Sequence, residues 1–305
     1  MKRHLTVRAI DVGYGHIKFT EGRDPATNTI RTDSIPSQSP EAKATMKTAG
    51  VMKRRDTFVI PIGERRFEVG RDVDKALDPN QQTEVMDDDF ALSDSYAARL
   101  FGALNYMLPG LPDETIDILV LGLPLNTYEK HSAALQKRFR GTLVINEAGD
   151  TVTVNHCHVY PQPLGSYMNY MVNGGGNEAA EPPVALSIDP GYNTVDWFVC
   201  QGMVAASGRS GSVQRGMGQV MRSIAEEIIR DAKIDATPAG LIRKLDASLT
   251  TGRLPYVYGK PFEIAKYMSA GIGVIQEALQ AVKNSVGAAS DIDVVLLTGG
   301  GASMF

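Results

Sequence analysis

Short apolar runs alternate with amphipathic stretches along the chain, and the first apolar run ends in a tight turn. Residues 5–11 and 15–20 have the composition of two β-strands, and the stretch AIDVGYGHIKF places glycines between them. The same order of strand, glycine turn and strand returns in SIDPGYNTVDWF, where strands are predicted over residues 184–189 and 194–200. A pattern that occurs twice predicts two similar halves.

Predicted strands and helices alternate around these two hairpins. In the first half the pattern predicts helices over residues 96–108, 128–139 and 164–171, and strands over residues 115–122, 141–146 and 151–160. In the second half it predicts a strand over residues 203–207, helices over residues 216–229, 240–245 and 261–286, and a last strand over residues 293–297. The sequence therefore predicts an α/β protein with an internal duplication.

A linker signal separates the two halves. The stretch NGGGNEAAEPP, residues 173–183, is rich in glycine and ends in two prolines, so we expect a first domain over residues 1–183 and a second over residues 184–305. In the first domain, residues 57–61 and 66–69 predict a hairpin with Gly63 in its turn. This hairpin would belong to a small inserted subdomain at about residues 35–80.

Polar sequence from residue 21 to residue 56 predicts a loop. The loop carries a basic cluster, which consists of Lys43, Lys47, Lys53, Arg54 and Arg55. A solvated loop explains the cluster most simply, and a contact for a partner is the alternative.

Composition excludes several classes of function. The chain has 305 residues, 43% of them hydrophobic, and its formal net charge of -4 does not attract nucleic acid or an anionic membrane surface. Cys157 and Cys200 both fall in predicted strands, which favours core positions in a reducing cytoplasm over a disulfide framework. The sequence shows neither a signal peptide nor an apolar run of the roughly 20 residues that a membrane helix needs. We therefore expect a cytoplasmic protein that neither enters a membrane nor binds DNA directly.

The spacing D-x-G-x-x-x-x-K in the first hairpin fits a phosphate group. Gly13 and Gly15 allow a tight turn in which successive backbone N–H groups, including that of Tyr14, form a nest for an anion. Lys18 adds a positive charge. Asp11 would repel a phosphate directly, but it can hold Mg²⁺ through water molecules.

The second hairpin repeats this chemistry with one change. Asp189 takes the position of Asp11, and Asp196 takes that of Lys18. The turn itself contains Gly191, Tyr192, Asn193 and Thr194. An ordinary structural turn would explain either motif alone, but turn chemistry does not require the same motif twice. Together the two hairpins predict a clamp for a magnesium nucleotide.

A third glycine motif lies at the end of the chain. The stretch LLTGGGA ends a predicted strand with Gly299, Gly300 and Gly301. Glycines at the end of a strand allow a flat ligand or a diphosphate to approach the backbone, and a flexible turn is the alternative.

These three motifs, in this order, resemble those of the actin–Hsp70–sugar kinase superfamily. DVGYGHIK resembles its first phosphate motif, DPGYNTVD its second, and TGGGA its adenosine motif. The short length and the segment VYPQPLGSY, residues 159–167, resemble the ParM/StbA plasmid-segregation actins, and among them the protein D type of the PRTRC system. The resemblance implies duplicated actin-like (ribonuclease H-like) domains around a nucleotide cleft.

The resemblance also implies roles for individual residues. Gln162 would orient the attacking water, although it could instead cap a turn between two prolines. Asp11 and Asp189 would place the metal ion and the water. Gly216, at the start of a helix, would lie beside the base or the ribose, and residues 299–301 would receive the adenosine.

The function implied by the resemblance is an ATPase that binds Mg-ATP and assembles head to tail into a filament. Such a filament would segregate plasmid DNA through a DNA-binding adaptor protein. Two features differ from the family. Tyr14 and Tyr192 are larger than the small residues common in these turns, and the chain stops four residues after Gly301, so we expect the second domain to be short at its C-terminal end.

Other functions are compatible with the same motifs. One is a small-molecule kinase of the same superfamily, which would need a carboxylate aimed at a substrate hydroxyl. Another is a scaffold that binds nucleotide and a DNA-bound adaptor without forming filaments. A metal site at His156 and His158 is disfavoured, because no further cluster of Cys or His supplies the other ligands that zinc requires.

Overall fold

The structure is a computed structural model, and it describes residues 4–43, 53–77, 87–174, 181–233, 235, 237–251, 254–257, 260–302 and 304. The described residues form two compact units, and the division falls after Gln162. Much of the predicted linker, residues 175–180, and Lys47 of the basic cluster lie outside the described residues. The predicted domain boundary at residue 183 stays a prediction.

Unit 1 is a mixed sheet with helices packed on it. Its elements are β1 (Val7–Val12), β2 (His16–Arg23), β3 (Ile30–Pro36), β4 (Thr57–Ile62), β5 (Arg65–Gly70), α1 (Asp94–Met107), β6 (Thr115–Leu123), α2 (Leu125–Arg138), β7 (Gly141–Val144) and β8 (Thr151–Pro161). The main sheet has the order β3-β2-β1-β6-β8-β7, and β4 pairs with β5 in the separate hairpin that the sequence predicts. Gly63, with φ +58°, makes the turn of that hairpin.

The core of unit 1 forms between the main sheet, in which β1, β6 and β8 run parallel, and two helices, with α1 on β1 and β2 and α2 on β8. Apolar residues of these strands, such as Leu119 and Leu121, are fully buried. Helix α1 begins at Asp94, two residues before the predicted start, and the Ser93 hydroxyl caps its first turn by accepting a hydrogen bond from the N–H of Tyr96. Strands β1 and β8 bury alternate residues over most of their length, so one face of each strand packs into the core.

The predicted loop over residues 21–56 is wrong in one part, because β3 is a strand of the main sheet. It pairs antiparallel with β2, from His16 opposite Pro36 to Arg23 opposite Ile30. As the edge strand it buries only Ile35, and its other residues are polar or partly exposed. A polar edge strand lacks the alternating pattern that marks a strand in the sequence.

Three side chains of the basic cluster differ in their surroundings. Arg55 forms a two-point ion pair with Glu68, at 2.7 and 2.9 Å, and the Glu68 side chain is buried. Lys53 and Arg54 are exposed. The side chain of Arg55 therefore stabilises the β4–β5 hairpin. Only the exposed residues of the cluster are available for a partner contact.

Unit 2 contains a second sheet and further helices. Its elements are α3 (Gln162–Val172), which begins at the last residue of unit 1, β9 (Val184–Pro190), β10 (Val195–Gln201), β11 (Val204–Ala205), β12 (Gly211–Val213), α4 (Met217–Ala232), α5 (Pro238–Thr251), β13 (Tyr256–Val257), β14 (Lys260–Pro261), α6 (Ser269–Val286) and β15 (Val294–Leu297). The sheet has the order β11-β10-β9-β15, with β12 beside β10. The predicted helix over residues 261–286 is shorter, since a 3-10 turn at Ile264–Tyr267 precedes α6.

The two units repeat the same hairpin in the same register. Asp11 lies opposite Lys18 in the β1–β2 ladder, and Asp189 lies opposite Asp196 in the β9–β10 ladder. In each unit a later strand then pairs parallel with the first strand, β6 with β1 and β15 with β9. The internal duplication that the sequence predicts is confirmed by this topology.

The described helices include none that is both long and apolar enough to cross a membrane.

Candidate functional site

The turn of the first hairpin, residues 13–15, connects β1 to β2 in unit 1. A Cβ on Gly13 would lie 2.9 Å from the carbonyl oxygen of His16, so the turn requires glycine there. Asp11 and Lys18 are cross-strand partners beside this turn, and the Lys18 side chain is exposed. A carboxylate, a cation and a tight turn thus lie at one end of the sheet, as the motif predicts.

Gln162 is brought to Asp11 across 151 residues of sequence. Its Nε2 donates a hydrogen bond of 2.5 Å to Asp11 Oδ1. Gly122, at the end of β6, makes room for this contact, because a Cβ there would lie 2.8 Å from Gln162 Cγ and 3.6 Å from Asp11 Oδ1. Gln162 is also the first residue of α3, so it is held both by its helix and by Asp11.

The carboxyl group of Asp11 has a raised pKa. Burial raises the pKa of its carboxyl group, while Lys18 and the hydrogen bond from Gln162 lower it in part. The buried hydroxyl of Tyr96 lies close enough that the charge of Asp11 contributes to the raised pKa of that tyrosine. A carboxyl with a raised pKa is the kind of group found at functional sites, because a bound cation would offset the cost of its charge.

This shift predicts that Asp11 destabilises the nucleotide-free protein at neutral pH. The folded state holds the Asp11 proton more tightly than the unfolded state, so the stability from that proton is present at acid pH and is lost as the pH rises through the raised pKa. We expect Asp11→Asn to raise Tm at neutral pH by about 2–4 °C, the shift that about 1 kcal/mol produces in a domain of this size.

Thermal unfolding of the nucleotide-free proteins at several pH values tests this prediction. The difference between wild type and Asp11→Asn should vanish near pH 4, the ordinary range of a carboxyl group. A variant less stable than wild type at neutral pH would show that the charged form of Asp11 stabilises the fold.

The turn of the second hairpin, residues 191–194, has the same local geometry. A Cβ on Gly191 would lie 3.1 Å from the carbonyl oxygen of Thr194, as that of Gly13 would from His16. The Gly191 N–H donates to the same Thr194 oxygen at 2.8 Å. The two turns are therefore tight at the same position, and glycine relieves the close approach in both.

The N-terminus of α4 is docked onto the carbonyl groups of this turn. The N–H of Gly216 donates to Asn193 at 3.1 Å, and that of Met217 donates to Gly191 at 2.9 Å. The N–H of Gly218 donates to Tyr192 at 2.6 Å. In a planar trans peptide the N–H points away from the C=O, so the N–H groups of residues 192–194 point away from α4. These successive N–H groups form a nest of the kind that binds anions.

The glycines after β15 lie against the same segments. The N–H of Thr298 donates to Ile188 and that of Gly301 to Pro190, each at 3.0 Å. A Cβ on Gly301 would lie 2.6 Å from Met217 Cγ, and one on Gly299 would overlap Asp189 Oδ1. Unit 2 therefore brings together Asp189, the second turn, the start of α4 and residues 299–301. Gly300 is exposed, with no atom within 4 Å of where a Cβ would lie.

Asp196 differs from its counterpart Lys18 in being buried. Its Oδ2 accepts a hydrogen bond of 2.7 Å from the Thr194 hydroxyl. Burial raises the pKa of its carboxyl group, and the hydrogen bonds from Thr194 and Ser212 lower it in part. Asp196 thus braces the second turn from within, a role that the spacing of the motif did not indicate.

The described acidic groups do not form an enclosed metal site. Within the described residues, no group of three or more His, Cys, Asp or Glu side chains is placed to hold a metal ion. Asp11 and Asp189 each offer the oxygen ligands that Mg²⁺ prefers, and Mg²⁺ typically keeps several waters and joins one or two carboxylates to phosphates.

The histidines and cysteines considered in the sequence analysis occupy ordinary strand positions. His156 and His158 are exposed residues on β8, as the strand prediction requires. Cys157 and Cys200 are buried, and burial raises the pKa of their thiols to about 12 and about 11. Neutral, buried thiols agree with the predicted core positions.

Two family matches cover most of the chain. Residues 9–165 match the family described as actin-like proteins, N-terminal domain. Residues 187–305 match the C-terminal domain family of the archaeal MreB-like actin homologue. No curated protein sequence matches the chain.

Solved structures of low sequence identity share the fold. A 15-stranded ParM filament from Clostridium botulinum is 18% identical, with a TM-score of 0.73 over 99% of this chain and 90% of that chain. The archaeal actin homologue Ta0583 in complex with ADP is 16% identical, with a TM-score of 0.70 over 98% of this chain and 88% of that chain. The apo psk41 ParM protein is 18% identical, with a TM-score of 0.65 over 99% of this chain and 88% of that chain.

The predicted actin-like α/β fold is confirmed by these matches together with the duplicated topology. The narrower assignment to the PRTRC protein D type stays a prediction. The match over residues 9–165 covers more than half of the 305 residues, so the chain belongs to the actin-like protein family.

Proposed function

We propose that the chain is an actin-like ATPase that binds Mg-ATP and assembles head to tail into filaments. The observation that carries the nucleotide site is the docking of α4 on the second turn, which directs the N–H groups of residues 192–194 away from the helix. In each peptide of the turn, the C=O accepts a hydrogen bond from the start of α4 and the N–H points to the opposite side. It thereby extends the positive end of the helix dipole toward a phosphate.

Within this proposal each predicted residue has a role. The backbone of residues 13–15 and the side chain of Lys18 bind phosphate from unit 1, and the backbone of residues 191–194 binds it from unit 2. Asp11 and Asp189 would hold a Mg²⁺ ion through water molecules, and the ion would supply charge neutralisation at the phosphates. Residues 299–301 receive the adenosine, and Gly216 fixes the start of α4 beside it.

Gln162 orients the attacking water. Its amide Nε2 is occupied by Asp11, which fixes the direction of the side chain and leaves the amide oxygen to accept a hydrogen bond from water. Phosphoryl transfer depends mainly on positioning and charge stabilisation, so a neutral amide suffices for this role.

Assembly rests on the family and on a relative. A ParM from Clostridium botulinum with the same fold forms a filament. Contacts between identical chains that do not close on themselves produce such helical polymers. We propose that the filament segregates DNA in the cytoplasm through a DNA-binding adaptor, and the free buried thiols of Cys157 and Cys200 fit a reducing compartment.

A pelleting assay with phosphate release followed in the same tube tests this function. Wild type with Mg-ATP should form a pellet and release phosphate, and Asp189→Ala should lose both. Glu226→Ala is the control, because it removes an exposed carboxylate from α4. Phosphate release without a pellet would contradict the filament and favour the nucleotide-dependent scaffold. Transfer of phosphate to an added sugar or acid would favour the kinase.

A further inference from the structure

The side chain of Tyr192 leaves the second turn and packs among the helices of unit 2. A Cβ on Gly218, in the first turn of α4, would lie 2.8 Å from Tyr192 Cε1 and 3.1 Å from Cζ. The ring is partly buried against an apolar cluster formed by buried residues of α4 and α5. The backbone carbonyl oxygen of Tyr192 accepts a hydrogen bond of 2.6 Å from the N–H of the same Gly218. Ring and backbone therefore hold the turn to one point on α4.

Charged side chains of α4 and α5 act on the Tyr192 hydroxyl. Burial raises the pKa of the phenol, Asp246 of α5 raises it further, and Arg222 of α4 lowers it in part. The side chain of Tyr192 therefore interacts with both α4 and α5. The ring, rather than the hydroxyl, supplies most of its apolar contact.

This position matters because the direction of the anion-binding N–H groups depends on the turn staying docked. If the turn came away from α4, its carbonyl groups would lose their donors and its N–H groups would no longer converge. Ordering a loose turn around a ligand costs conformational entropy, which lowers affinity. An anchor that orders the turn in advance removes that cost.

We infer that Tyr192 is a positioning residue for phosphate binding, whose ring anchors the second turn to α4 and α5 without touching the phosphates. The inference rests on the proposed nucleotide site. It assigns the large residue at this position a role in the affinity for phosphate groups. The departure from the small residues of related turns then has a physical explanation.

Binding of ATP, ADP and adenosine to wild type, Tyr192→Ala and Tyr192→Phe tests the inference. Tyr192→Ala should lower the affinity for ATP and ADP about tenfold, because a turn that is no longer anchored must lose conformational entropy when it binds phosphate. Adenosine, which has no phosphate, should bind as it does to wild type. Tyr192→Phe keeps the ring and should restore ATP affinity to within about twofold, a difference of less than 0.5 kcal/mol.

Tyr267→Ala is the matched control. Tyr267 packs against the same helical cluster, and its hydroxyl donates to Asp231 at 2.7 Å, but it belongs to the 3-10 turn before α6. It should lower Tm as Tyr192→Ala does and leave ATP affinity unchanged. In turnover, Tyr192→Ala should raise KM for ATP and leave kcat at saturating ATP near the wild-type value.

Several results would overturn the inference. Unchanged ATP affinity in Tyr192→Ala, or an equal loss for adenosine, would show that the ring does not position the phosphate turn. A Tyr192→Phe variant as weak as Tyr192→Ala would assign the effect to the hydroxyl. Wild type that binds neither ATP nor ADP would overturn the proposed function and the inference together, whereas the other results leave the proposed function standing.

Discussion

Replacing Gly299 by alanine should lower the affinity for Mg-ATP about 100-fold, which corresponds to about 2.7 kcal/mol. Gly299 has φ +85°, a conformation that an alanine adopts only with strain. The new Cβ would also overlap Asp189 Oδ1 and lie 3.1 Å from its Cγ and 3.3 Å from the Pro190 oxygen. The carboxylate and the end of β9 must therefore move together, and both belong to the proposed site.

Gly287→Ala is the control, because it introduces backbone strain without displacing any residue of the proposed site. Gly287 follows α6 in the same unit and has φ +71°, but nothing lies within 4 Å of where its Cβ would be. Both variants should lose stability from backbone strain, and only Gly299→Ala should lose nucleotide affinity in a calorimetric titration. Equal ATP affinity in the two variants would mean that Asp189 is not part of the binding site.

Replacing Gln162 by alanine should lower kcat for ATP hydrolysis about 100-fold, within the range that a single positioned group contributes to proton transfer or water activation. The side chain donates to Asp11 at 2.5 Å and contacts the space left by Gly122, so its amide has one defined direction. Removing the amide removes the acceptor for the water. The affinity for ATP should change little, because the phosphates are bound by backbone groups and Lys18.

Gln136→Ala provides the matched control, since Gln136 is an exposed glutamine on α2 of the same unit. Gly122→Ala offers an independent route to the same result, because its Cβ would push against Gln162 Cγ at 2.8 Å. Both Gln162→Ala and Gly122→Ala should slow phosphate release under single-turnover conditions. A normal rate in Gln162→Ala would assign water positioning to another residue.

Much of the duplicated core could be predicted from the sequence because it is built from segments that are adjacent in the chain. A strand, a glycine turn and a second strand are adjacent in the chain, so the hairpins at Asp11 and Asp189 are visible as patterns. The equal registers of the two ladders follow from equal spacing between the acid and the residue opposite it. The parallel strands β6 and β15 are apolar runs, and each is followed closely by a turn residue, Pro124 after β6 and Gly299 after β15.

The parts that the sequence did not predict depend on contacts between distant residues or on polar edges. The bond from Gln162 to Asp11 spans 151 residues, and no local pattern encodes it. The docking of α4 on the second turn depends on the path of the backbone rather than on side chains. Strand β3 forms because β2 offers an open edge, although only one of its residues is fully buried.

The most direct test of the account is an equilibrium titration of the wild-type protein with ATP, ADP and adenosine, each in the presence of Mg²⁺. The account predicts that ATP and ADP bind at least about 100-fold more tightly than adenosine, because several charge-assisted hydrogen bonds to phosphate are each worth more than 1 kcal/mol. Adenosine that binds as tightly as ATP, or the absence of ATP binding, would contradict the proposal that the two glycine turns are a phosphate site.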